Sequence, residues 1–476
     1  MKTLFSPSPN RRHSRAHFRH TLLAALCTAA TLTGCAVNRS AFEPPATAMP
    51  AQWQHASGAA QEAASAAAAM TDGWWRAFND PALDALIDAA LRHNNNLAAA
   101  ALRVRAAQLQ AGLAANRPSF SGSLSHNKNR NLETHSSAQS SSFSLGVSYE
   151  LDLWNRIGSR REMAEWEAMA SEQDRQSAAL ALAGTTASLY WQLAYLNQRL
   201  AHAAQGIDHA QTTLDLIATQ YQAGAVSGLE VAEARGNLAS QKAALTTLQQ
   251  QHVETSSALA LLFDGQPIGP ASANWSAPGQ LSDGALPAVD ADLPATLLGR
   301  RPDLRAAELR LRKSFRNIDA TRASYYPGFS LTGSLGSSSR SLLDVLSNPV
   351  AALGAGISLP FLNVTEMNLN LDISKAQYEE AVVSFRQTLY TALAEVENAL
   401  SARQQYEAQA VQLGVILADA QKVERLNEIR YRAGAIALKT WLDAQQSRRS
   451  AEIALAENRL NRLNNHATLL KALGGG

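Results

Sequence analysis

Hydrophobic positions recur along this chain with two periods, and the period switches at definite places. Leu83, Leu86, Ile87, Ala90 and Leu91 share one helical face. They follow Asp80-Pro81, where the carboxylate can cap free N–H groups and proline suits the first helical position. This predicts a helix from about Pro81 to Asn116, broken near His93-Asn94-Asn95-Asn96 and ended before Pro118. The period then falls to two. Phe143, Leu145, Val147, Tyr149, Leu151 and Leu153 alternate with mostly small or polar residues, which predicts a strand over 142–153. Ser119–Asn127 is a weaker strand, and the Asn/Ser/His-rich stretch Lys128 to Ser141 reads as an exposed loop. From Ser159 to Tyr221 there is no proline, and Leu182, Leu189, Leu193, Leu196 and Leu200 have coiled-coil-like spacing. Such a helix is on the order of 95 Å long. Gly224 ends it, and a return helix runs from about Leu229 to Phe263.

The pattern then starts again, offset by about 208 residues. Arg117-Pro118-Ser119-Phe120-Ser121 falls against Tyr326-Pro327-Gly328-Phe329-Ser330, and Tyr221-Gln222-Ala223-Gly224 against Tyr431-Arg432-Ala433-Gly434. Leu353, Ala355, Ile357, Leu359 and Phe361 alternate as the first strands do. A second proline-free helix, about Glu366 to Tyr431, carries Leu389, Leu393, Val396 and Leu400. The expected layout is a signal peptide at 1–34, a lipidated arm at 35–72, a first repeat at 73–264, a linker at 265–293, a second repeat at 294–470 and a tail at 471–476. The arm, rich in Ala, Pro and Gln, is expected to be extended or poorly ordered, with Trp53 an occasional anchor. Each repeat reads helix, strand, strand, long helix, return helix. The fold class is therefore mainly α with a transmembrane β part.

Strands of roughly ten residues are long enough to cross a bilayer. Four of them cannot close a barrel, and an open sheet edge in lipid leaves unpaired N–H and C=O groups. Copies must then pool their strands. Two chains give eight strands, whose side chains would fill the interior. Three give twelve, which leaves a passage. A homotrimer is the smallest assembly that closes and still conducts.

Composition changes this picture in one respect. Of the 42 Lys and Arg, five (Lys2, Arg11, Arg12, Arg15, Arg19) precede residue 35 and no acid does, leaving 37 bases against 40 acids. A basic stretch, an apolar run from Thr21 to Leu32, and Leu32-Thr33-Gly34-Cys35 follow in the order of an export signal with a lipobox, in which Cys35 takes the diacylglycerol. Ala36, rather than an aspartate, favours the outer membrane. The other cysteine, Cys27, lies inside the signal, so the mature chain has no disulfide and no thiolate chemistry. The acidic balance excludes a nucleic-acid binder. No His-Glu-x-x-His, Cys-x-x-Cys or phosphate-cradling loop occurs, and His202 and His209, seven apart, lack further ligands. No cofactor, metal or enzymatic constellation is expected.

Trp74-Trp75 with Phe78-Asn79-Asp80-Pro81, Tyr149-Glu150-Leu151-Asp152-Leu153-Trp154, Arg301-Pro302-Asp303, Tyr326-Pro327, Pro360-Phe361 and the paired Tyr-x-Ala-Gly turns occur in order over residues 72–470. In these motifs the chain resembles the TolC-type outer-membrane factors, in their NodT-type lipoprotein branch. The resemblance implies a trimer with a twelve-stranded barrel, a long periplasmic helical tunnel, and docking on a periplasmic adaptor and an inner-membrane transporter of the resistance-nodulation-division class. The function it implies is a passive exit duct for small molecules such as drugs or other toxic compounds. The tunnel tip is expected at the turns Tyr221–Leu229 and Tyr431–Thr440, with Gly224 and Gly434 contacting adaptor or transporter. Tyr431 matches a gate tyrosine and Glu230 its acidic partner. Ile436 replaces the gate arginine, which puts a salt-bridge latch in doubt and suggests hydrophobic closure. Of two acidic rings, Thr440 stands at the first position and Asp443 at the second, so one ring is carried over. Three like charges on a narrow axis would favour cations. For Arg301-Pro302-Asp303 the reading is a helix start, with Asp303 complementing the dipole. Tyr149, Trp154 and Tyr325-Tyr326 are expected either at the membrane interface near barrel ends or in ordinary packing where barrel meets helices. The competing reading is a periplasmic adaptor lipoprotein, which should carry one long hairpin between small β-domains rather than two hairpins and four long strands.

Overall fold

The computed structural model describes residues 39–55, 73–264, 278–289 and 294–475. The expected signal peptide, Cys35, the stretch 56–72 and most of the 265–293 linker lie outside the described residues. The elements, in order, are α1 (Pro81–His93), α2 (Asn95–Leu113), β1 (Ser119–Arg130), β2 (Ser137–Leu151), α3 (Arg156–Gln222), α4 (Gly228–Leu261), α5 (Leu297–Arg300), α6 (Pro302–Ala323), β3 (Gly328–Ser339), β4 (Val350–Ser358), α7 (Val364–Arg432) and α8 (Leu438–Ala472). The chain is mainly helical with one small sheet. Among the described residues no helix is long and apolar enough to cross a membrane. The chain divides into two compact units.

One unit holds residues up to 45, 108–167 and 311–382. Its sheet has the order β1-β2-β3-β4, antiparallel throughout. Phe120 pairs with Val147, Val147 with Gly333, and Gly333 with Leu353. Since paired residues share a face, the register gathers Phe120, Leu124, Phe143, Leu145, Leu331, Leu353 and Ile357 on one side. The row Ser121, Gly146, Ser334, Ala352 belongs to the other side, as does Ser119, Ser148, Thr332, Gly354. The apolar side is largely open on the outer strands, with Phe120 81% and Leu353 95% exposed, whereas Ser141 and Ser337 on the inner strands are buried. The stretch Lys128–Ser141, expected as a loop, is mostly strand, and only residues 131–136 turn. Backbone pairing is blind to side-chain polarity here, and hydroxyls bond directly across it, Ser125 Oγ to Ser142 Oγ at 2.8 Å and Ser119 Oγ to Ser148 Oγ at 2.9 Å.

The same unit also secures the start of the arm, which was expected to be extended or poorly ordered: residues 39–45 form neither helix nor strand but are held by side chains. Asp319 on α6 accepts hydrogen bonds from Ser40 N at 3.1 Å, Ser40 Oγ at 2.7 Å and Arg316 Nη1 at 2.7 Å. Arg316 also pairs with Glu162 at 3.1 Å, and Arg39 with the same carboxylate. The Phe42 ring meets Phe315 edge-on at 5.6 Å with Arg312 over its face. Buried charges persist only when paired and hydrogen-bonded, and here the backbone of Ser40 completes the pairing.

The other unit holds residues 46–107, 168–310 and 383 onward. Leu83, Leu86, Ile87 and Ala90 of α1 are wholly buried, as their spacing predicts, and pack with Trp74, Trp191, Leu193 and Leu196. Asp80 caps Ala82 N at 3.0 Å and Leu83 N at 3.2 Å, with Pro81 at the first position. Its second oxygen accepts from Tyr190 Oη at 2.8 Å, so one carboxylate starts α1 and ties it to α3. Trp53 anchors the arm as expected, buried with Leu297, Leu304, Leu389 and Val396. Arg301-Pro302-Asp303 begins α6 at Pro302, but the arginine does more than mark a helix start. It is buried, binds Asp303 through two nitrogens, donates to Ala472 O at 3.0 Å and pairs with Glu395 at 2.8 Å. Its charge thereby caps the free carbonyl end of α8.

Candidate functional site: the helical turns and the sheet

The two long helices end alike. Gly224 and Gly434 adopt φ of +73° and +71°, the left-handed region that favours glycine. Ala225 N donates to Gln220 O and Ala435 N to Arg430 O, both at 2.8 Å. Gly224 N donates to Tyr221 O at 3.0 Å and Gly434 N to Tyr431 O at 2.8 Å. These are Schellman closures, which satisfy the last carbonyls of each helix. The following helices start differently. Ser227 and Glu230 form a capping box: Leu229 N donates to Ser227 Oγ at 3.1 Å and Ser227 N to Glu230 Oε2 at 2.9 Å. Ala437 caps α8 without a side chain.

Tyr431 lies against these turns. Its ring stacks on Trp441 at 5.3 Å and 22°, beside a buried cluster of Ile217, Ala234 and Leu438. Its hydroxyl donates to Gln220 Oε1 at 3.4 Å. Burial, with a further push from the Glu230 charge, raises the phenol above its usual range, so it remains a hydrogen-bond donor. The Ser227 hydroxyl, bonded to Glu230, holds that carboxyl below the ordinary glutamate value. The structure therefore brings Tyr431 and Glu230 within electrostatic reach, while their hydrogen bonds go to Gln220 and Ser227. Ile436 is half-buried; Thr440, Gly224 and Gly434 are exposed. Asp443 is exposed and 3.2 Å from Lys439 Nζ, one helical turn back.

Gln220, Trp441 and Lys439 were not singled out from the sequence. The i,i+4 spacing of Lys439 and Asp443 is a signal that could have found one of these contacts, as the Ser227-x-x-Glu230 spacing marks the start of α4. Trp441 carries no such local mark. Among the described residues no group of three or more His, Cys, Asp or Glu side chains could hold a metal ion.

Residues 86–264 and 293–475 match the family model described as outer membrane efflux protein. The chain belongs to the outer membrane efflux protein family. It is 34% identical to the pyoverdine export outer membrane protein OpmQ of Pseudomonas putida, with 90% of this chain and 92% of that protein covered. It is 33% identical to the toluene efflux pump outer membrane protein TtgC of the same species, with 96% of each covered. Among solved structures it is similar to the open state of the MtrE outer membrane channel of Neisseria gonorrhoeae. There the TM-score is 0.74, the identity 30%, and the coverage 92% of this chain and 98% of that one. It is also similar to a membrane protein from Pseudomonas aeruginosa, with TM-score 0.80, identity 27% and coverage of 92% and 98%. The chain is thus an outer-membrane efflux channel component reaching into the periplasm, from a family that works with adaptor and inner-membrane pump partners. The adaptor reading falls, because the matched family supplies the channel itself. This is a family of channels rather than of enzymes.

Proposed function

We propose that this efflux component works as a passive homotrimeric duct, in which three four-stranded sheets join into one twelve-stranded barrel. The observation that carries this is the sheet. Among the described residues both outer edges, on β1 and β4, are unpaired, and these two strands are exposed along their whole length, with one face of the sheet apolar and the other rich in Ser and Gly. In lipid the edges must be closed, and an apolar outside with a polar inside is the arrangement of a membrane barrel around water. The element order occurs twice along the chain, which supports an internal repeat supplying two strand pairs and two long helices per copy.

The two Schellman turns form the inner gate in this reading. Tyr431, bonded to Gln220, and Glu230, bonded to Ser227, are its polar groups, Ile436 supplies apolar closure in place of an arginine latch, and Asp443 forms the charged ring. Lys439 beside Asp443 reduces that ring's negative charge. Thr440 is too weak an acceptor to make a second ring. Gly224 and Gly434 mark the surface offered to the periplasmic adaptor. The energised partner is a transporter of the resistance-nodulation-division class, which selects the cargo. Residues 1–34 direct export, and Cys35 bears the lipid that adds an anchor at the outer membrane. The repeats at 73–264 and 294–470, joined by the 265–293 linker, build the duct.

Purified mature protein added to a planar bilayer should produce stepwise ion conductance without any energy source and run on gels as a heat-dissociable trimer. A chain that stays monomeric in mild detergent and leaves the bilayer silent would overturn this reading.

A further inference from the structure

The apolar side of β1 changes character along the strand. Phe120, Gly122 and Leu124 lie on one face, and His126, Lys128 and Arg130 continue that same face toward the β1–β2 turn. At about 3.4 Å per residue these three stand roughly 7 Å apart in a row. All are exposed, and their cross-strand partners are Ser141, Gln139 and Ser137, none charged. His126 is hydrogen-bonded to Ser141 Oγ at 2.9 Å, while Lys128 and Arg130 carry fixed positive charge with no acid opposite. The only acidic residue on any of the four strands is Glu150, which lies on the other face and at the other end, next to α3. On the sheet itself the row therefore has no acidic partner; the nearest acid along the chain is Glu133, in the turn beyond Arg130.

The register also gives the height of this row. The apolar rows of β2 run from Leu151 back to Phe143, roughly 27 Å along the strand, or about 20 Å across a bilayer at the usual barrel tilt. That is close to the hydrocarbon span, and Lys128 and Arg130 begin where it ends. They stand at the end of the sheet remote from α2 and α3, on the face that meets lipid.

We infer that Lys128 and Arg130 form a binding row for phosphate-bearing lipid headgroups of the outer leaflet. This rests on the barrel reading. An apolar wall topped by an unopposed basic row at headgroup level fits acyl chains below and phosphate above. The residues directly opposite the row, Ser141, Gln139 and Ser137, are polar, so beside the charges there is little apolar area of the kind a protein partner would need. Arginine can hold a phosphate through two nitrogens and lysine as a point charge.

The test uses the full-length protein in phosphatidylcholine vesicles containing either spin-labelled phosphatidic acid or spin-labelled phosphatidylcholine. The wild type should immobilise the phosphatidic acid label in preference, and added salt should weaken the preference. K128Q/R130Q should lose about fivefold in relative association for each charge removed. Equal immobilisation of both labels by the wild type, or an undiminished preference in K128Q/R130Q, overturns this row while leaving the barrel standing. Immobilisation of neither label would mean that no protein perimeter faces lipid, and would overturn the barrel as well.

Discussion

The clamp on the arm gives a prediction whose size follows from its geometry. Asp319 is almost fully buried beside Arg316, with side-chain exposures of 4% and 6%. Asp319→Ala removes the acceptor of two bonds from Ser40 and one from Arg316. Hydrogen bonds to a charged group contribute about 1.5–3 kcal/mol each, and breaking one side of a buried ion pair costs roughly 3–5 kcal/mol. Arg316 keeps Glu162 at 3.1 Å, which places the expected loss toward the lower end. A loss of about 3 kcal/mol in the docking of residues 39–42 raises the open fraction roughly a hundredfold. Trypsin reads this directly, because the bond after Arg39 is the one whose following N–H is held by Asp319. Under mild digestion, cleavage at Arg39–Ser40 should accelerate about a hundredfold in Asp319→Ala. It should accelerate about tenfold in Ser40→Ala, which loses only the hydroxyl bond. Cleavage in Asp319→Ala at the wild-type rate would refute the argument that this carboxylate holds the arm.

Two further outcomes are expected. His466 is buried against Phe78, and burial together with the Arg403 charge lowers its pKa from 6.5 to about 4. The unfolded chain then binds more protons below pH 6.5, so stability falls as pH drops from 6.5 toward 4 and levels off beneath; the gap is worth roughly 3 kcal/mol per chain. Denaturant midpoints should drop more steeply on acidification in the wild type than in His466→Asn, and parallel curves would count against it. Asp443→Asn should weaken, and Lys439→Gln strengthen, the cation preference of the reconstituted channel in reversal-potential measurements; unchanged selectivity in both would remove Asp443 from the gate.

Periodicity carried most of the fold because helix and strand repeat at different intervals. Leu83, Leu86, Ile87 and Ala90 lie where their spacing put them, and Asp80-Pro81 starts α1 as composed. Phe143 to Leu151 alternate across β2 as their spacing predicts, whereas Ser137 to Ser141, whose sequence carries no alternating large apolar residues and reads as loop, pair just as well. Polar strands of this kind are held by their neighbours' backbones, which a local pattern does not register. The long-range partners were the least legible. Ser40 and Asp319 are separated by 279 residues, and Arg301 and Ala472 by 171, so nothing near either member announces the other. At the turns the glycines and Tyr431 were visible because the motif occurs twice. The stacking of Trp441 on Tyr431 was not, since it depends on how α8 leaves its turn.

The central claim is that β1 of one copy closes on β4 of the next. Within one chain these strands are the opposite edges of a four-stranded sheet, about 14 Å apart at the usual strand spacing, too far for a disulfide. A cysteine scan along β1, combined with a single cysteine on β4, should therefore form only bonds between copies. The account predicts register-dependent cross-linking that ends at three chains, because the ring is then closed. Ladders continuing beyond three, or no cross-link at any register, would contradict it.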